Sequence, residues 1–72
     1  MKVRTELKAY RTARGLTQAE LAERVGVSRK TINTVENGIF TPSVALALLL
    51  ADCLEATVEE LFQIVPEATG PA

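Results

Sequence analysis

Three glycines set the scale of anything this chain can build. Gly15, Gly26 and Gly38 each close a short stretch of helical apolar periodicity, and glycine takes the left-handed conformation that ends a helix without a Cβ penalty. Start signals answer them. Thr17-Gln18-Ala19-Glu20 and Thr57-Val58-Glu59-Glu60 are capping boxes, Ser28 is a good N-cap, and Thr41-Pro42 offers a cap followed by proline at the first helical position. The spacing predicts five short helices, near 4–14, 18–25, 29–36, 42–54 and 58–62. The apolar positions agree: Leu7 and Tyr10, then Leu21, Ala22 and Val25, then Ile32 and Val35, then Leu46, Ala47, Leu50, Ala51 and Leu54, then Leu61 and Phe62. Each set falls on one face at i, i+3, i+4 spacing. The expected class is all-α.

With 72 residues, 47% of them apolar, the chain reads as one small globular domain. A domain of this size buries only about 60% of its unfolded surface, so tight helix packing or oligomerisation must supplement the core. One Cys excludes an internal disulfide, and a chain with no His cannot furnish an ordinary structural zinc site. No metal or cofactor is expected. The longest apolar run, Val44 to Ala51, is far short of the roughly 20 residues that span a bilayer. The N-terminus shows no leader-like apolar stretch. These features predict a cytoplasmic protein with no membrane partner.

Charge divides along the chain. All eight Lys and Arg lie within residues 1–30; against the four Glu of 1–38 they leave +4, whereas residues 39–72 hold five carboxylates and no base, hence −5. Such asymmetry points to an N-terminal surface that meets a polyanion, although chance in a short protein produces it too.

The helices flanking Gly26 are joined by Gly26-Val27-Ser28, a turn too short for antiparallel packing, so they must cross steeply as a helix-turn-helix spanning 18–36. At about 100° per residue, Arg29, Lys30, Asn33 and Thr34 share one arc of the second helix, while Thr31, Ile32 and Val35 lie on the other. One face packs inward. The other offers two cations and two hydrogen-bonding groups, the chemistry that reads base edges in a major groove, unless it is simply a solvated helix face.

The run Gly15-Leu16-Thr17-Gln18-Ala19-Glu20-Leu21-Ala22, then Val25-Gly26-Val27-Ser28-Arg29-Lys30-Thr31-Ile32, then Val35-Glu36-Asn37-Gly38 resembles the phage repressor/Cro type of helix-turn-helix, the Xre family. Pro42-Ser43 and Leu46-Ala47 through Leu61-Phe62 continue the pattern, so the resemblance covers roughly 5–62. It implies a five-helix repressor-like domain that binds a specific double-stranded DNA sequence as a dimer, with two half-sites in the operator. By the same resemblance, Arg29, Lys30 and Thr34 contact bases, and Asn33 reaches backbone or a neighbouring base. Arg29 is the favoured guanine reader because its planar fork engages O6 and N7 together. Gln18 and Asn37 would contact phosphate; Ser28 would cap its helix and also touch phosphate. Arg11 and Glu36 resemble a family pair with a structural role, tying the first helix to the end of the third.

The chain departs from the family at three positions. Ile39 stands where many relatives carry a base, Glu55 replaces the usual Gly or Asn after the fourth helix, and Leu49 stands where relatives often have a polar residue. Leu49 points away from a core centred on Leu46 and Leu50, beside Ala45 and Cys53. Two readings of it stand: a subunit contact, or a helix buried on more sides by the C-terminal segment. Phe62-Gln63-Ile64-Val65-Pro66 alternates with β-branched residues and invites pairing with Lys2-Val3-Arg4 as a small antiparallel ribbon, which needs support from elsewhere. Leu49, Cys53, Phe62, Ile64 and Val65 are accordingly the expected homodimer contacts. The single domain is expected over 1–66, with 67–72 a frayed tail.

Catalysis needs a nucleophile with a base, paired acids in a cleft, or a metal, and nothing here supplies one, so an enzyme is not expected. No small-molecule ligand is evident either. The rival to a DNA-binding regulator is an antitoxin-like or adaptor protein whose acidic half grips another protein. The combination Arg29, Lys30 and Thr34 discriminates between them, since a pure adaptor has no use for it.

Overall fold

Several helix ends are fixed by local chemistry before any packing is considered. In the computed structural model, which describes residues 2–65, the order is β1 (Lys2–Thr5), α1 (Leu7–Ala13), α2 (Gln18–Val25), α3 (Arg29–Glu36), α4 (Val44–Leu54), α5 (Val58–Leu61) and β2 (Phe62–Val65). Both capping boxes form: Thr17 Oγ1 accepts from the Glu20 N–H at 3.0 Å and Thr57 Oγ1 from the Glu60 N–H at 3.1 Å, and each glutamate returns a bond at 2.8 Å. The Thr17 backbone N–H donated to its carboxylate is the main cause holding Glu20 below the usual carboxylate range. Gly26 ends α2 at φ 80°, where a side chain would be strained. Glu55 ends α4 at φ 54° without being glycine, a conformation costing about 1 kcal/mol for an ordinary residue.

Two helix starts differ from expectation. Residues 4–6 are not helical; Lys2–Thr5 pairs antiparallel with Phe62–Val65 in the register Lys2↔Val65, Val3↔Ile64, Arg4↔Gln63, Thr5↔Phe62. Thr5 Oγ1 then accepts from the Leu7 N–H at 3.1 Å, and the Glu6 N–H donates to the Leu61 carbonyl at 2.8 Å, so ladder and turn together delay α1. Likewise α4 begins at Val44, not at Pro42: Ser43 is the N-cap and its hydroxyl accepts from the Leu46 N–H at 3.1 Å. Phe62 leaves α5 to begin β2. The class is therefore five helices with a two-stranded antiparallel ribbon. The expected tail lies outside the described residues.

The core sits where α1, α2, α3, α4 and α5 converge, on Leu7, Leu21, Ile32, Val35, Leu50 and Leu61, all essentially fully buried. Val27, in the turn between α2 and α3, packs against that cluster, which fixes the crossing of the two helices. No described helix is long and apolar enough to cross a membrane.

Candidate nucleic-acid interface

Helix α3 sorts its residues by face. Ile32 and Val35 are buried, Thr31 and Thr34 are half-buried, and Arg29, Lys30 and Asn33 are exposed. Ser28 starts the helix by accepting from the Thr31 N–H at 3.1 Å, and its hydroxyl also lies 2.9 Å from Thr31 Oγ1. The first turn of α3 is thereby held rigid beneath Arg29 and Lys30. These two cations make no ion pair among the described residues. They share one open groove with Asn33 and with Gln18 of α2. At the far end of the helix, Asn37 is the C-cap and donates its amide N–H to Asn33 Oδ1 at 3.3 Å.

Beneath the groove lies a buried polar knot. Arg11 Nε donates to Glu36 Oε2 at 2.5 Å and Arg11 Nη2 to Oε1 at 3.2 Å, with the two side chains only 9% and 2% exposed. Arg11 Nη1 donates to the Leu16 carbonyl at 2.7 Å, and Gln18 Nε2 donates to Glu36 Oε1 at 3.0 Å. The guanidinium's planar fork suits this bidentate arrangement. The knot joins α1, the α1–α2 turn, the first residue of α2 and the last of α3. It thereby sets the position of Gln18 relative to Arg29. By contrast, the Arg4–Glu6 pair at 3.6 Å and the Arg14–Glu55 pair are exposed and worth little to stability.

The helix-turn-helix family profile matches residues 7–61. The chain belongs to that family. It is 43% identical over 60 residues to an HTH-type transcriptional regulator of Archaeoglobus fulgidus, covering 83% of this chain and 86% of the relative. It is 46% identical over 61 residues to another from Methanothermobacter thermautotrophicus, covering 83% and 88%. Among solved structures, the restriction-modification controller protein C.AhdI from Aeromonas hydrophila superposes with a TM-score of 0.72 at 39% identity, over 78% of this chain and 85% of that one. The biofilm master regulator SinR, solved in complex with DNA, superposes with a TM-score of 0.69 at 28% identity, over 74% and 86%. This helix-turn-helix protein is thus a DNA-binding transcriptional regulator and not an enzyme.

The five expected subunit contacts of the regulator are not equally accessible. Leu49 is 50% and Ile64 69% exposed, whereas Cys53, Phe62 and Val65 are half-buried, the first two packing partly against the core. Sequence reading missed Val44, Leu48 and Val3, which are exposed and line an apolar groove between α4 and the ribbon together with Pro42 and Phe62. A signal was present. The eight-residue apolar run Val44 to Ala51 winds more than twice around a helix, so it cannot all face one core. Ile39 and Phe40 are both exposed beside α3; the sequence marks Ile39 only as a departure from the family's basic residue and gives no signal at Phe40.

Proposed function

We propose that the protein is a transcriptional repressor that binds an inverted-repeat operator as a homodimer, placing α3 of each subunit in successive major grooves. The observation that carries this reading is the grouping of Arg29, Lys30 and Asn33 of α3 with Gln18 of α2 around one groove, the opposite face of α3 being locked into the core. Arg29 and Lys30 supply donors for guanine O6 and N7. Thr34 and Asn33 contact bases one turn on. Gln18, Ser28 and Asn37 hold phosphates on either side, with the N–H groups at the start of α2 favouring an anion. Relatives support the repressive outcome: the phage CTXphi repressor RstR of Vibrio cholerae is 33% identical over 61 residues, although the chain spans only 54% of it.

The dimer follows from apolar surface. Leu49 and Ile64 are exposed, and Val44, Leu48 and Val3 line an apolar groove between α4 and the ribbon; exposed apolar surface of this kind on a domain this small supports a contact surface. A closed two-fold pair uses the same patch twice and sets the recognition helices about 34 Å apart, so half-site centres lie roughly 10 base pairs apart. Selection of bound duplexes from a random pool tests the operator: an inverted repeat of that spacing is expected, and a single unrepeated site refutes the dimeric reading. Sedimentation tests the contact. Wild type is expected as a dimer at tens of micromolar, with Leu49→Glu and Ile64→Glu shifting it to monomer. A dimer that neither substitution weakens has its interface elsewhere.

A further inference from the structure

Beside the groove that holds Arg29, a second recess opens on α3, lined by Ser28, Lys30, Thr31, Thr34, Ile39 and Phe40. Its geometry is built. The Ile39 and Phe40 backbone N–H groups both donate to the Thr34 carbonyl, at 3.0 and 3.3 Å, so the loop is tied to the end of the helix and both residues line the recess together with Thr34. The two apolar groups nevertheless stay in the open, Ile39 at 77% and Phe40 at 48% exposure. Thr34 Oγ1 donates to the Thr31 carbonyl at 2.9 Å. With its proton committed inward, Thr34 offers an outside ligand only its methyl group and lone pairs.

We infer that this recess reads thymine: Ile39, Phe40 and the Thr34 methyl enclose the C5-methyl group of a thymine in the major groove. The inference rests on the α3 reading above and adds the base class that this side of the helix selects. Two observations choose the occupant. The recess is continuous with the base-reading face through Lys30, which belongs to both, and its α3 wall carries Lys30 next to Arg29, two exposed cations without an ion pair among the described residues, so the approaching surface is polyanionic. On a DNA edge in the major groove, the apolar group such a lining fits is the thymine methyl. The adenine paired with it presents an amino donor beside the lone pairs of Thr34.

The experiment compares the selected operator with the same duplex carrying deoxyuridine at every thymine, a change that deletes only the methyl groups. Wild type is expected to lose about fourfold in affinity per half-site, the worth of one buried methyl. Ile39→Ser and Phe40→Ala, both at exposed positions, are expected to bind the two duplexes within twofold of each other. Equal binding of both duplexes by wild type overturns the inference. So does a uracil penalty that survives undiminished in the two variants, since the methyl is then read by other residues, or a protein partner occupies the recess. If no sequence is enriched from the random pool at all, the base-reading role of α3 falls, and the thymine reading with it; a clear operator insensitive to uracil removes the thymine reading alone.

Discussion

Replacing Arg11 with alanine is expected to cost the fold about 3–5 kcal/mol, because the Glu36 carboxylate then stays buried without its counter-ion. A domain of this length holds roughly 4–11 kcal/mol in total, so the loss is about a quarter of the stability or more and lowers the melting temperature by about 12 °C or more. The magnitude follows from burial: the pair is 9% and 2% exposed, and every Arg11 nitrogen has an acceptor. Glu36→Ala is expected to fall in the same range, since it strands Arg11 with only the Leu16 carbonyl and frees Gln18. Replacing both residues with Met removes the desolvation cost along with the attraction and is expected to recover most of the loss. Urea unfolding of the three variants measures this. Midpoints matching wild type for both single alanine variants would show that the pair contributes no more than a surface contact.

DNA affinity is expected to fall by about 10³–10⁵-fold between 50 and 200 mM salt, despite a net charge of −1, if the dimer makes about 6–10 phosphate contacts. The net charge is the wrong quantity for this purpose. The +4 of residues 1–38 includes Arg29 and Lys30 on the exposed side of α3, whereas Asp52, Glu55, Glu59 and Glu60 sit on α4, on α5 and at their ends. Each phosphate neutralised releases counter-ions, so the slope counts contacts and not total charge. Titrations across that salt range test this; a flat response would mean that the basic half serves a protein partner.

What was legible in the residues was whatever local chemistry decides. Thr17, Ser28 and Thr57 as caps and Gly26 as a left-handed stop depend on neighbours within four residues, and all four hold. The outward arc of α3 is legible for the same reason. Non-local competition explains the differences. Lys2-Val3-Arg4 and Phe62-Gln63-Ile64-Val65 find each other across the whole chain, and helix 4–14 and the ribbon both claimed Arg4 until that pairing settled it. Thr41 and Ser43 are both good caps, so the choice of Ser43 rests on where α4 packs. Periodicity separates the buried Leu46, Ala47, Leu50, Ala51 and Leu54 of α4 from the outward Leu49, but in so apolar a helix it leaves Val44 and Leu48 unassigned. The meeting of Arg11 with Glu36 was readable only through resemblance, because no spacing rule joins residues 25 apart, and the bond from Gln18 to Glu36 needed coordinates.

We propose that the exposed side of α3 reads base edges while Gln18 and Asn37 hold the backbone. Sequence selection from one random pool with wild type, Arg29→Ala and Gln18→Ala tests it most directly. Arg29→Ala is expected to lose preference at one base pair of each half-site, worth about 1–3 kcal/mol of discrimination. Gln18→Ala is expected to keep the wild-type preference and bind every sequence more weakly. An Arg29→Ala variant that selects the wild-type site with undiminished preference at every position would contradict it.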